Sequence, residues 1–225
     1  MRYINFQCHT DDMDGILPLM LFILLPAVGV AVAALLTLLA FRDARVETGA
    51  PAVPAGRPDP AMGRVLIFVV LPTTGPIFGF ALYYLAVQAY PSLAGDAVIA
   101  IGTCFGMAGL FTALGQGILA RVAARDIVRN PANFGRHVVV IAQCEAVVVL
   151  AFAIAYLSMS ADPPPAGLAM ANYIMGVSSI GAVVSGLLVA NVDPARMPRR
   201  IVRGMAGTGL ALVGFLAAFL LLGMA

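Results

Sequence analysis

The sequence predicts an all-α membrane protein of six transmembrane helices, arranged as three tandem helical hairpins. Three observations carry the prediction: apolar stretches long enough to cross a bilayer, arginines confined to alternate connections, and an internal repeat one hairpin long. The chain has 225 residues, of which 61% are hydrophobic and 11% charged, and its mean hydropathy is +0.98. A soluble domain carries roughly 25% charged residues, so water is not the main solvent here. Soluble enzymes and nucleic-acid binders are excluded on that ground.

The first observation is length. Apolar stretches of about 20 residues with at most one charge read as membrane spans, and six occur, near 16–41, 65–90, 97–120, 137–159, 167–191 and 204–224. A span must satisfy its own backbone hydrogen bonds, which requires helix in the absence of barrel-type alternation. Asp11, Asp12 and Asp14 precede the first stretch where a signal peptide would carry basic residues. It is therefore read as a retained helix.

The second observation is charge. There is no Lys, and every Arg except Arg2 falls in one of three segments. Arg42, Arg45, Arg57 and Arg64 lie between spans one and two. Arg121, Arg125, Arg129 and Arg136 lie between three and four, and Arg196, Arg199, Arg200 and Arg203 between five and six. The other two connections carry Asp96 and Asp162 and no basic residue. Short basic loops stay cytoplasmic, which predicts three cytoplasmic hairpin tips and outward-facing termini in a plasma (inner) membrane. The 43–62 connection is rich in Pro, Ala and Gly and predicts a looser tip, whereas Asp162 to Pro165 predicts a stiff external link.

The third observation is the repeat. At an offset of 72, Gly63-Arg64 falls over Gly135-Arg136, and Phe80-Ala81-Leu82 over Phe152-Ala153-Ile154. The units are then 1–92, 93–162 and 163–225. Small residues concentrate in the odd spans, with Gly102, Gly106, Gly109, Ala113 and Gly117 in the third and Gly176, Gly181, Ala182 and Gly186 in the fifth. Small residues let helices approach closely in lipid, so the odd spans are predicted to pack at a tighter radius inside the even ones.

Of eleven acidic residues, only Glu145 falls inside a predicted span. It lies nine residues from Arg136, about 13 Å deep at 1.5 Å per residue. An acid at that depth is a functional candidate by default, and it carries charge only where a cation or water reaches it. Gln116 is as far from the tip at Asn130-Pro131 on the third span as Glu145 is on the fourth, so antiparallel packing brings them to one level. Its amide can donate and its carbonyl can accept or coordinate.

The run from Gly115-Gln116-Gly117 through Arg129-Asn130-Pro131 to Glu145 resembles the rotor-ring proteolipid (K/c) of V/A-type rotary ATPases. A second likeness lies in Leu71-Pro72-Thr73-Thr74-Gly75-Pro76-Ile77-Phe78-Gly79, which is similar to that branch's L-P-E-T-Q-x-I-Y-G motif. Residues 64–158 carry most of the resemblance. It implies a homo-oligomeric rotor ring in which Glu145 carries a proton or, less favoured, sodium, with Gln116 beside it. It also implies an arginine supplied by a stator (a/I-type) membrane protein. Central-stalk subunits would dock on the loop holding Arg125, Arg129, Asn130 and Pro131. No catalytic residue and no cofactor are implied, and there is no GxxxxGK[ST] phosphate loop. Thr73 stands where the family has Glu in the second span, and Thr208-Gly209 in the sixth also lacks an acid.

Two other readings stay open on sequence. One is an electron-transfer subunit using Cys104 and Cys144 as cluster ligands, with Cys8 and the others otherwise packing as small hydrophobes. The other is a small secondary transporter whose second span breaks at Pro72 and Pro76, although such proteins favour inverted repeats and this repeat is parallel. His9 and His137 are read as loop-edge residues with no metal site.

Overall fold

The computed structural model describes residues 13–49, 59–89, 95–161 and 165–223. Cys8, His9, Arg2, Arg57 and the stretch Asp162 to Pro164 lie outside them. Among the described residues the long elements are all helical, and six are long and apolar enough to cross a membrane. The first span is one helix, α1 (Met13–Thr48). The second is α2 (Pro60–Val70) and α3 (Thr74–Ala89), joined through a 3-10 turn at Leu71–Thr73. The third is α4 (Gly95–Arg129). The fourth is α5 (Phe134–Ala142) and α6 (Glu145–Ser160). The fifth is α7 (Leu168–Ser178) and α8 (Gly181–Ala190), and the sixth is α9 (Met197–Gly223).

Several helices run past the predicted apolar limits at the arginine-rich end. The 35 residues of α4 make a rod of about 52 Å, against a hydrocarbon core of about 30 Å. A helix does not stop where lipid stops, and Arg121, Arg125 and Arg129 simply continue it into water. The first connection is accordingly shorter than expected, because helix persists to Thr48 and Asp59 already caps α2, accepting from the Ala61 N–H at 2.9 Å.

The spans pack in two layers. The first lies along the third and the third along the fifth, while the second contacts the fourth and the fourth contacts the sixth. Small residues explain the tight odd layer. A side chain at Gly117 would meet the Cα of Ala33 at 2.7 Å, and one at Gly186 would meet the Gly115 carbonyl at 2.8 Å. Close approach at glycine is not confined to the odd spans, however. Gly207 and Gly214 of the sixth span also face Ser185 and Ser178 of the fifth at a distance that excludes a Cβ, so the third pair of spans is close-packed within itself.

The largest side chains on the outer faces, such as Phe80, Ile77 and Val213, are more than half exposed. In water so continuous an apolar surface would aggregate; in hydrocarbon it is an ordinary exterior. Some polar groups inside the bundle are tied up across helices. Asn172 on the fifth span donates to Ser158 on the fourth at 2.7 Å, a cross-helix bond of the kind that secures membrane bundles.

Candidate functional site

Two of the even spans are broken at equivalent places. The second span tightens at Leu71–Thr73, where Pro72 has no N–H to continue the ladder. The fourth is interrupted at Gln143 and Cys144, 72 residues on, with short i to i+3 bonds from Cys144 to Ile141 and from Val147 to Cys144. Glu145 thereby begins a helix, and Thr73 closes the matching turn of the second span. Pro72 marks the first break in the sequence. Nothing in Ile-Ala-Gln-Cys-Glu-Ala marks the second, although the repeat offset points to it.

Glu145 sits where the second, third and fourth spans meet. Its Oε1 accepts from Gln116 Nε2 at 3.4 Å and from Thr74 Oγ1 at 3.5 Å. Both contacts are at the long end of hydrogen bonding. The Gln116 side chain is fully buried and its Oε1 has no partner, and one turn away the Thr112 hydroxyl is likewise buried without one. The sequence therefore pairs Gln116 with Glu145 correctly in space. It misses Thr74, the neighbour of the Thr73 that replaces the family's acid. Thr73 donates to Val70 O on its own helix at 2.7 Å, and Thr208 bonds the Gly204 and Met205 carbonyls on its own span.

The same span presents a different polar group to its other side. Gln143 reaches toward the sixth span, where its Oε1 lies against Gly204 with no hydrogen-bond partner. Ser185 of the fifth span is buried beside it, its hydroxyl accompanied by the Cys144 thiol. Two interfaces of one design thus carry different chemistry, a carboxyl in one and a neutral amide in the other.

A third cluster overturns the reading of His137 as a loop-edge residue. His137 is wholly buried, its Nε2 is 2.8 Å from Asp126 Oδ2, and its Nδ1 is 3.3 Å from Arg200 Nη1. Arginine only donates, so Nδ1 must accept, and the proton on Nε2 is given to Asp126. Asp126 is also bonded by Asn130 at 3.3 Å and Asn133 at 2.9 Å. Among the described residues Arg200 is the largest fully buried side chain, and its Nε and Nη2 have no hydrogen-bond partner there. The chain Asp126–His137–Arg200 joins the third, fourth and sixth spans at the arginine-rich end. Counting Arg200 among loop charges concealed it.

The loop residues expected to dock a stalk are partly engaged already. Arg129 pairs with Glu47 at 2.9 Å and Arg125 with Asp43 at 3.9 Å, linking the third span to the first. Pro131 opens the 3-10 turn Pro131–Asn133 that reverses the chain. Cys104 and Cys144 both turn toward the fifth span, the first against Gly176 and the second with its Sγ 3.8 Å from the Ala182 carbonyl. Among the described residues no three His, Cys, Asp or Glu side chains gather as a metal or cluster would require.

Comparison with known proteins bears on this geometry at two levels. Residues 99–158, which hold Gln116, the reversal at Pro131 and Glu145, match the C-subunit family of ATP synthases. Over 188 residues the chain is 26% identical to the A-type ATP synthase subunit K of Methanocaldococcus jannaschii, covering 78% of this chain and 85% of that one. These likenesses support an archaeal/V-type rotor proteolipid. The match to subunit K extends well beyond the acid-bearing pair of spans, so it includes spans that carry no acid. No solved structure matches the chain.

Proposed function

We propose that the chain is the rotor-ring proteolipid of an A/V-type ATP synthase or ATPase, with Glu145 as its reversible ion carrier and three hairpins, 1–92, 93–162 and 163–225, as its units. One observation carries the reading. The acid at mid-span depth lies between two outer spans with a buried amide and a hydroxyl turned toward it. A carboxyl placed only for packing would be an expensive choice in hydrocarbon, where an amide would serve.

The cycle follows from charge. Neutral, Glu145 can pass through lipid; facing a stator arginine, its carboxylate is stabilised and the ion leaves. Each charge moved is worth about 2.3 kcal/mol per 100 mV. Sodium wants several oxygens. Beyond the carboxylate, the surroundings offer Thr74 Oγ1 and the unpartnered Gln116 Oε1, while Ala146, Phe78 and Leu150 add none. A proton needs no such shell, and the proton is the favoured ion. One acid in three hairpins moves few ions per turn, which suits ATP-driven pumping against a steep gradient. The arginine-rich ends face the cytoplasm in this reading, with the loop Arg125 to Pro131 toward the central stalk.

The test is modification by dicyclohexylcarbodiimide, which attacks protonated carboxyls in apolar surroundings, followed by mass mapping. Selective labelling of Glu145, falling as pH rises, is expected. Protection by sodium at fixed pH would reassign the ion, and absence of labelling at any pH would remove Glu145 as carrier.

A further inference from the structure

Glu145 meets the second span at Thr74, and the second and fourth spans stay in contact toward the arginine-poor end of the bundle. At that end a groove of roughly 300 Å3 is lined by Leu85, Gln88, Tyr156, Met159 and Ser160. The groove is large enough for several waters and has an amide, a phenol and a hydroxyl on its walls. Between the groove and the acid this contact is made by aromatic rings. The Phe78 ring of the second span lies 5.3 Å from that of Phe152 on the fourth, and Phe152 stacks at 6.4 Å on Tyr156, nearly parallel.

Phe152 is seven residues above Glu145 and four below Tyr156, about 10 Å and 6 Å along the helix. From Ala146 to Ala155 the fourth span offers no polar side chain at all, and Val148, Ala151 and Leu82 beside the rings are fully buried. Water would find no partner on the fourth span in that interval, and small apolar gaps stay dry. The polar lining of the groove therefore ends at Tyr156, and the wall of the fourth span below it is apolar.

We infer that the Phe78–Phe152 pair is a plug that isolates Glu145 from water at the arginine-poor end, so that the carboxyl cannot exchange its ion between the second and fourth spans. The inference rests on Glu145 being the carrier. It assigns to the rotor itself, through Phe78 and Phe152, the task of preventing leak between neighbouring outer spans. Phe78 fits this task better than a hydroxylated ring would, because a hydroxyl at that position would give water a foothold.

The complete complex in sealed vesicles, held without nucleotide so that the ring does not carry Glu145 past the stator, with pH varied on one side at a time, tests it. The carbodiimide enters through lipid from either side, so its rate of reaction with Glu145 reads protonation and not reagent access. In the wild type, raising the pH at the arginine-poor side is expected to leave the rate unchanged. In Phe152→Ala and Phe78→Ala the same change should lower the rate, by about tenfold per pH unit once the group follows that side. Phe152→Leu should behave as wild type, as should Phe219→Ala, which opens a stacked pair of the sixth span away from the plug. The wild type alone can overturn the plug, by following the pH of the arginine-poor side. Alanine variants indistinguishable from wild type overturn it too. If Glu145 does not react in the wild type under any condition, the carrier reading falls and takes the plug with it.

Discussion

The fourth span serves two interfaces that share a plan and differ in chemistry. Toward the second and third spans it offers Glu145, half-buried, with Thr74 and Gln116 at 3.5 and 3.4 Å. Toward the fifth and sixth it offers Gln143, pressed against Gly204 beside buried Ser185. The first contact is loose and titratable. The second is tight, neutral and closed by glycine. The acid stands in the interface whose hydrogen bonds are long. Moving an acid into the tight interface would bury a charge with little beside it but the Ser185 hydroxyl, and a buried charge so poorly paired is costly.

That contrast can be broken most decisively at its charged member. Glu145→Gln should reduce ATP-driven ion uptake by reconstituted vesicles to background, and adding Gln143→Glu should not restore it. Recovery in the double variant would show that the two interfaces are interchangeable. Next in size comes the shared support of both. Arg200→Ala leaves the buried His137 Nδ1 without its donor, and an unsatisfied buried polar group costs about 1–3 kcal/mol. A clearly lowered melting temperature in detergent is expected, with the third hairpin loosening first in hydrogen exchange.

Smaller effects sharpen the comparison. Gly204→Val forces Gln143 out of its place, and overpacking of this kind costs about 1–3 kcal/mol. Thermal stability should fall while carbodiimide labelling of Glu145 persists, since the two interfaces lie on opposite faces of the span. Gln116→Leu removes one donor to Glu145, worth about 1 kcal/mol. A shift of about fivefold in the apparent ion affinity of transport is expected, with little change in maximal rate.

The layout of six spans was readable because hydropathy and arginine placement report lipid directly. Pairing of Gln116 with Glu145 was readable too, since two residues equally far from one tight reversal must end at one depth. What escaped was whatever depends on rotation about a helix axis. His137 and Arg200 sit in arginine-rich segments and look like solvent-facing loop residues; only the packing of three spans turns them inward to meet Asp126. The break before Glu145 was invisible because its residues include neither Gly nor Pro, whereas Pro72 announced its counterpart. Thr74 was overlooked in favour of Thr73 because alignment names the replaced residue, and the helix turns the next one toward the acid.

The first and third spans leave the apolar layer together, and beyond it Asp43 faces Arg125 and Glu47 faces Arg129. All four side chains are about half exposed, so each pair contributes at most about 1 kcal/mol and is screened over about 8 Å in physiological salt. Two weak links in series between long rods behave as a spring more than as a weld. In a turning assembly such a collar would store a little twist between hairpins and return it, and its compliance would rise with ionic strength.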